Sequence, residues 1–268
     1  MGSRYLASCF LLFAVFTLPV HGQATLYVDE KRVCGGENPC YAHPQDAVNA
    51  AAPGDTIKVY PGTYGTRVYV DCPWQSCPCS AIYSPALIVY KDNLTIASVD
   101  GPSRTLIEST HPCWSNGAPV GDSTRNGVGT DGWNPSAITI VANNVTIDGF
   151  TIRRPYNCLD TNKYNCFWNT AGVFIGSKAA GYTDFVGKAN GAVIKNNVFK
   201  DVWHAVYIWH SKNNVIVNNT VEALGETGRW AGIASNDGLG ADRLASPVPS
   251  TGTVIANNTL ADKGIAVG

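Results

Sequence analysis

The sequence predicts an all-β solenoid, and three observations predict it. First, a short phrase recurs. Val193-Ile194-Lys195-Asn196-Asn197-Val198-Phe199 returns 22 residues on as Val215-Ile216-Val217-Asn218-Asn219-Thr220-Val221, and again 39 residues later as Val254-Ile255-Ala256-Asn257-Asn258-Thr259-Leu260. Second, every copy has one grammar: a β-branched pair, two turn-forming residues, then another short apolar run. Thr146-Ile147-Asp148-Gly149-Phe150-Thr151-Ile152 is a weaker upstream copy. Third, the chain is rich in Gly, with 27, and in Asn, the residues of turns. Repeats of twenty-odd residues made of short strands and polar turns stack, because one unit alone cannot bury its apolar face.

The 268 residues suffice for one domain with a large core. Net charge is −1 and 15% of residues are charged. No basic stripe points to nucleic acid, and no acidic block points to a disordered tail.

Residues 1–22 read as a secretion signal and 23–268 as the solenoid domain. Arg4 precedes the apolar run Leu11–Leu18, and Val20-His21-Gly22 supplies the small and aliphatic residues of a cleavage site. The run is too short to cross a bilayer comfortably, so no membrane span is expected in the mature chain. Cleavage there removes Cys9 and leaves eight cysteines: Cys34, Cys40, Cys72, Cys77, Cys79, Cys113, Cys158 and Cys166. An even number in an exported chain favours disulfides. Cys34–Cys40 and Cys158–Cys166 suit local bridges; the connectivity of Cys72, Cys77, Cys79 and Cys113 stays open. Zinc binding by Cys72, Cys77 and Cys79 is disfavoured by export and by the missing C-x-x-C spacing. Sequons at Asn93 and Asn144 are candidate glycan acceptors. Those at Asn218 and Asn257 lie in the repeated Asn-Asn phrase, where the turn itself calls for asparagine.

In chain order, Thr25–Asp29 reads as the first strand. Pro44–Ala51 reads as a helix, with Pro at its start and Pro53-Gly54 as its stop. Asp55–Tyr60 is the next strand. The run AVNAAAPGDTIKVYPGTY, residues 47–64, resembles the opening of secreted proteins of the pectate-lyase-like superfamily. The downstream Asn-Asn repeats resemble the same superfamily, as in NosD-type periplasmic proteins. The resemblance covers most of the chain from Thr25. It implies a right-handed, single-stranded parallel β-helix whose N-terminal mouth is plugged by a short helix. It implies little about activity, since the superfamily holds lyases, hydrolases, epimerases and non-enzymes.

Further strands are expected at Arg67–Val70, Ala86–Tyr90, Leu94–Ala97, Thr105–Glu108, Ala137–Val141, Val145–Ile147 and Phe150–Arg153. Residues 111–135 read as a loop. Later rungs use Gly172–Ile175, Ala192–Ile194, Ala205–Ile208, Val215–Val217, Ala231–Ala234 and Thr253–Ile255, with third strands at Val198–Lys200, Thr220–Glu222 and Thr259–Ala261. The two columns Asn196, Asn218, Asn257 and Asn197, Asn219, Asn258 are expected to be structural, the latter as a rung-to-rung ladder. Gly264–Gly268 opens a further rung, so the domain is expected to be C-terminally incomplete.

Alignment of the repeats stacks Ile138, Val173, Val206, Ile233 and Ile265 inward, and Thr139, Phe174, Tyr207 and Ala234 outward. Val141, Gly176, Trp209 and Asn236 form a further column, followed by His210 beside Asp237. Thr170, His204 and Trp230 precede the strands, with Trp203 and Arg229 one position earlier. Aromatics on an exposed groove would stack against the apolar faces of sugar rings. A polysaccharide is therefore the expected partner, with Trp203, Trp209, Trp230 and Asn236 as contacts. Uronate β-elimination needs a cation for the carboxylate, a base for the C5 proton and an acid for the leaving oxygen. Arg229 (or a cation on Asp237), His210 or His204, and Tyr207 match those roles in type. Asp237-Gly238-Leu239-Gly240-Ala241-Asp242 offers oxygens for Ca²⁺, although a flexible polar loop reads better. The arginine motif of pectate lyases, the Asp-rich motifs of polygalacturonases and the Asp-Pro-His of alginate epimerases are not found. A non-catalytic glycan-binding or adhesion β-helix is the alternative.

Overall fold

The computed structural model describes residues 22–65, 86–109, 114–115, 118–119, 136–153, 171–176, 189–202, 204–209, 211–222, 232–236, 251–261 and 265–267. Three sheets, each all-parallel, wrap one interior. The first runs through Cys40–Tyr41, Thr25–Val28, Thr56–Val59, Thr95–Ser98, Thr146–Asp148, Val193–Lys195, Val215–Val217 and Val254–Ala256. The second runs through Gly62–Gly65, Thr105–Glu108, Thr151–Arg153, Val198–Lys200, Thr220–Val221 and Thr259–Leu260. The third runs through Leu87–Val89, Ser136–Ile140, Ala171–Ile175, His204–Trp209, Ile233–Asn236 and Ile265–Val267. The chain visits first, second and third sheet in turn, and each strand pairs with its equivalent one rung away. This is a parallel β-helix.

The interior follows from stacking like on like. Leu26, Ile57, Ile96, Ile147, Ile194, Ile216 and Ile255 form one column by register. Tyr64, Ile107, Ile152, Phe199, Val221 and Leu260 form a second. Ile138, Val173, Val206, Ile233 and Ile265 form a third, as the repeat alignment predicts, with Leu87 at its head. Each fully buried Ile stabilises by roughly 1.5–3 kcal/mol, and β-branched residues suit a pleated, enclosed wall. Burial pushes the Tyr64 phenol far up, so it stays neutral; its hydroxyl donates to Tyr60 O at 2.9 Å.

The N-terminal mouth is closed by the helix Pro44–Ala50. Its Ala47 and Val48, with Ala51 just beyond, join the core. His43 caps it: Nδ1 accepts from Gln45 N at 3.1 Å, and Nε2 faces Gly65 O at 2.7 Å, so Nε2 carries the proton. At the other end Lys91 Nζ donates to the carbonyls of Asn49 and Ala51. The Cys34–Cys40 disulfide closes the loop before the helix, as expected. The other six expected bridge cysteines, residues 1–21 of the expected signal and the Arg67–Val70 strand lie outside the described residues. No helix among the described residues is long and apolar enough to cross a membrane.

Two corners hold the register. Between first and second sheets, Gly149, Asn196, Asn218 and Asn257 all take positive φ, 79°, 57°, 57° and 55°. The next residues form a hydrogen-bonded ladder: Phe150 N donates to Asn197 Oδ1, Asn197 N to Asn219 Oδ1, and Asn219 N to Asn258 Oδ1, at 2.9, 3.0 and 2.9 Å. Between third and first sheets, Asn93, Asn144, Gly191, Asn213 and Gly252 make a second positive-φ column. Gly191 is forced there, because a Cβ would stand 2.4 Å from Asn144 Oδ1. A charge ladder runs along the second sheet, with Arg153 bonded to Glu108 and Asp201, and Lys200 to Glu222. The Asp201 hydrogen bond raises the already high Arg153 guanidinium further. These exposed pairs contribute little.

One expectation needs correction. The stretch read as a loop over residues 111–135 contains two short strands, Trp114–Ser115 and Ala118–Pro119, paired antiparallel.

Candidate functional site: the outer face of the third sheet

The lengths of chain between strands single out one side of the solenoid. Most links from first to second sheet hold two residues, such as Asn196-Asn197 and Asn218-Asn219, and the longest runs from Ser98 to Thr105. Past the N-terminal cap, whose links from Val28 to Cys40 and from Tyr41 to Thr56 stay within the first sheet, every longer link between rung strands enters or leaves the third sheet: Gly65 to Leu87, Glu108 to Ser136, Arg153 to Ala171, Ile175 to Val193, Val221 to Ile233 and Asn236 to Val254. In solenoids, insertions of this kind map to one face, often the binding face.

The third sheet also departs from strict alternation. In a regular strand, neighbours point to opposite faces. Here Ala137 and Ile138 both lie in the core, and so do Ala205 and Val206. Gly172 points inward with Val173: a Cβ on it would stand 2.5 Å from Phe199 Cδ1. Register pairing skips the same position on each rung, passing from Ser136↔Ala171↔His204 to Ile138↔Val173↔Val206. Gly232 O accepts from both Ala205 N and Val206 N, at 2.6 and 3.2 Å. This is a bulge repeated from rung to rung, and bulges re-aim side chains. Its effect is to return Ser136, Ala171 and His204 to the outer face, beside Thr139, Phe174 and Tyr207.

The outer face therefore gathers chemistry. Ser136 Oγ and Thr139 Oγ1 are 2.7 Å apart. Phe174 and Tyr207 stack at 5.8 Å between centroids, and Tyr207 and Trp209 at 5.9 Å. The His204 ring lies 5.1 Å from that of Tyr207, tilted by 55°. Ala171, Phe174, Tyr207 and Trp209 form an apolar cluster separate from the interior core. Gly176 lets the next rung close over it. At φ 116° it has no Cβ to meet Trp209 O, which would otherwise stand 1.9 Å away.

The expected site residues fall out unevenly. His204 and Tyr207 come together. His204 lies within the strand rather than before it, and its partner in register is Ala171, not Thr170. The register correction follows from the repeat spacing itself, since His204 follows Ala171 by the same 33 residues that separate Val206 from Val173. Tyr207 and Trp209 share the outer face as expected, but they are not an exposed groove: Tyr207 is 7% exposed, His204 7% and Trp209 2%. Trp209 packs beneath the face. Asn236 is the register partner of Trp209. Trp203, His210, Arg229, Trp230 and Asp237 lie outside the described residues, as does the 237–242 stretch read for Ca²⁺. Among the described residues no three His, Cys, Asp or Glu side chains are gathered as a metal site. Of the two sequons, Asn144 Nδ2 donates to Asn93 Oδ1 at 2.9 Å. Sequence reasoning missed Tyr90, which is 46% exposed at the corner beyond the third sheet.

No family model and no curated protein sequence matches the chain. Solved structures do. A rhamnogalacturonan lyase superposes with a TM-score of 0.55 at 13% identity, over 91% of this chain and 53% of its own. A pectin methylesterase from Erwinia chrysanthemi gives 0.43 at 11% identity, over 88% and 66%. A pectin methylesterase in complex with a hexasaccharide gives 0.43 at 13% identity, over 90% and 65%. The chain spans about half the length of the rhamnogalacturonan lyase. At such identities a likeness speaks for fold alone. Three parallel sheets stacked rung on rung, together with the lyase superposition, make this chain a parallel β-helix.

Proposed function

We propose that this is a secreted protein that binds and processes a polysaccharide at the outer face of the third sheet, by lyase-type chemistry on a uronate polymer. One observation supports the placement: past the N-terminal cap the long links flank that sheet, and its outer face holds a His–Tyr pair among stacked aromatics. In this reading His204 removes the C5 proton as base, and Tyr207 protonates the leaving oxygen. Arg229 neutralises the uronate carboxylate, with His210 and Asp237 in support. Trp203, Trp230 and Asn236 contact the sugar chain. Trp209 keeps a packing role under Tyr207. The rhamnogalacturonan lyase that shares the fold is named for this class of reaction, and the Cys34–Cys40 disulfide suits export.

The test is incubation with a panel of uronate polymers, following the ultraviolet absorbance of the unsaturated uronate end. Product from one polymer, lost in Tyr207→Phe, supports the reading. Binding without product from any polymer sinks it. A second reading, a non-catalytic glycan-binding or adhesion β-helix, would then stand. It is favoured by one feature: the described outer positions Ser136, Thr139, Ala171, Phe174, His204, Tyr207 and Trp209 include no Asp, Glu, Lys or Arg.

A further inference from the structure

Tyr90 follows the strand Leu87–Val89 and heads a column of the solenoid. Val89 pairs with Ile140, Ile140 with Ile175 and Ile175 with Ile208, which sets Tyr90, Val141, Gly176 and Trp209 in line. At about 4.8 Å per rung, Tyr90 and Trp209 stand roughly 14 Å apart along the axis. Trp209 is buried; Tyr90 is 46% exposed. Its hydroxyl donates to Asn49 Oδ1 at 2.9 Å, which fixes the ring against the capping helix. Tyr90 and Val141 line a cleft of about 420 Å³, rimmed by Asp92, Asn93 and Asn143. That volume lies within the range of small-ligand sites.

The rim is partly committed. Asp92 Oδ1 accepts from Asn143 N at 2.7 Å, and Asn93 Oδ1 accepts from Asn144 Nδ2. Asp92 Oδ2 and Asn93 Nδ2 remain as one acceptor and one donor, both on exposed residues. Lys91 also lines the cleft; its ammonium stands over the Tyr90 ring, 5.8 Å from the centroid, and is directed to the carbonyls of Asn49 and Ala51 rather than to Asp92. An immobilised aromatic face, an aliphatic neighbour and a rim of carboxylate and amide match one ligand chemistry: a pyranose with an apolar ring face and hydroxyls at its edge. A uronate carboxylate would meet the Asp92 charge, and the Lys91 ammonium that could offset it is engaged by the carbonyls of Asn49 and Ala51. We infer that the Tyr90 cleft is a binding subsite for an uncharged pyranose unit, separate from the outer face of the third sheet.

The test uses the full chain made in a host that does not N-glycosylate, so that Asn93 is bare. Short galacto-, gluco- and manno-oligosaccharides are titrated against it, with oligogalacturonate as the charged comparison, and ligand-observed NMR reads binding. At least one uncharged series is expected to bind with saturation transfer from an aromatic ring. Tyr90→Ala weakens it by about tenfold or more, while Tyr90→Phe keeps the stacking face and most of the affinity. Should Tyr90→Ala not fold by thermal melt, Asn93→Gly suits the same positive-φ turn and removes the rim donor; it is expected to weaken binding too. Undiminished binding by the folded variant, no binding of any uncharged series, or tighter Tyr90-dependent binding of oligogalacturonate overturns the inference. His204→Asn separates the two sites: it abolishes lyase product under the proposed function and leaves this subsite intact. Loss of one result therefore does not imply loss of the other.

Discussion

Asn219 Oδ1 accepts from both the backbone N–H and the Nδ2 of Asn197, at 3.0 and 3.1 Å. Asn219 Nδ2 in turn donates to Ile194 O at 2.9 Å and to Asn258 Oδ1 at 2.9 Å. One carboxamide thus ties three rungs together from a position only 1% exposed. Removing it strands buried backbone groups, at about 1–3 kcal/mol for each group left unsatisfied.

Asn219→Ala is therefore expected to destabilise by about 2–4 kcal/mol. Its exposed neighbour should behave oppositely. Asn218 sits at φ 57°, a conformation glycine adopts freely, so Asn218→Gly should be close to neutral. Chemical denaturation of the two variants checks the contrast. Equal losses would show that the turn, rather than the ladder, carries the stability.

Gly172→Ala is expected to cost about 1–3 kcal/mol, because the added methyl overlaps Phe199 Cδ1 and the backbone oxygen of Ala205. Phe199→Leu in the same chain should return part of that loss. A double-mutant cycle with no coupling would argue against a shared interior position.

Tyr207→Phe keeps the rings stacked between Phe174 and Trp209 and removes only the hydroxyl. Under the proposed function it should lower turnover by about a hundredfold or more with little change in melting temperature. His204→Asn should do the same. Tyr207→Ala should instead lose stability, since it opens a hole in the outer cluster. Rates on a uronate polymer, measured beside thermal melts, separate the two kinds of effect.

Asp29 supplies an acid-side signature. Its carboxylate accepts from Lys31 N and Cys34 N, each at 3.0 Å. The bond from Lys31 is the main cause that holds its pKa below the ordinary value. A depressed pKa stabilises the fold above the unfolded value of about 3.9 and loses that contribution as pH falls toward the folded one. Wild type should therefore lose more stability between about pH 5 and pH 3 than Asp29→Asn does. Melting curves across that interval decide it; parallel curves would remove Asp29 from the account.

The interior was legible because it repeats. Ile147, Ile194, Ile216 and Ile255 stand at one place in one phrase, and stacking identical phrases leaves them no other neighbours. The ladder of Asn197, Asn219 and Asn258 was legible for the same reason. The outer face was not. Alternation with a period of two cannot foresee two successive inward residues, and it is that pair, Ala205 and Val206, which returns His204 to the outer face. A signal did exist: Ala137, Gly172, Ala205 and Gly232 are all small, one position ahead of Ile138, Val173, Val206 and Ile233. Exposure of Tyr207 and Trp209 was misjudged because strand pattern tells outward from inward, and outward is not the same as wet. Tyr90 escaped notice because it belongs to a corner, where its neighbours come from other rungs and from the helix.

The two-residue corners have a consequence of their own. Where the first-to-second-sheet edge carries the ladder of Asn197, Asn219 and Asn258, the hydrogen bonds leave no room to insert or delete a residue without breaking the stack. Along the edges of the third sheet, lengthening a link costs little, since closure entropy grows only as the logarithm of length. The molecule thus separates the part that must count residues from the part that need not. Descendants of such a chain could exchange one recognition surface for another, by loop length alone, while the clockwork that sets the rungs stays untouched.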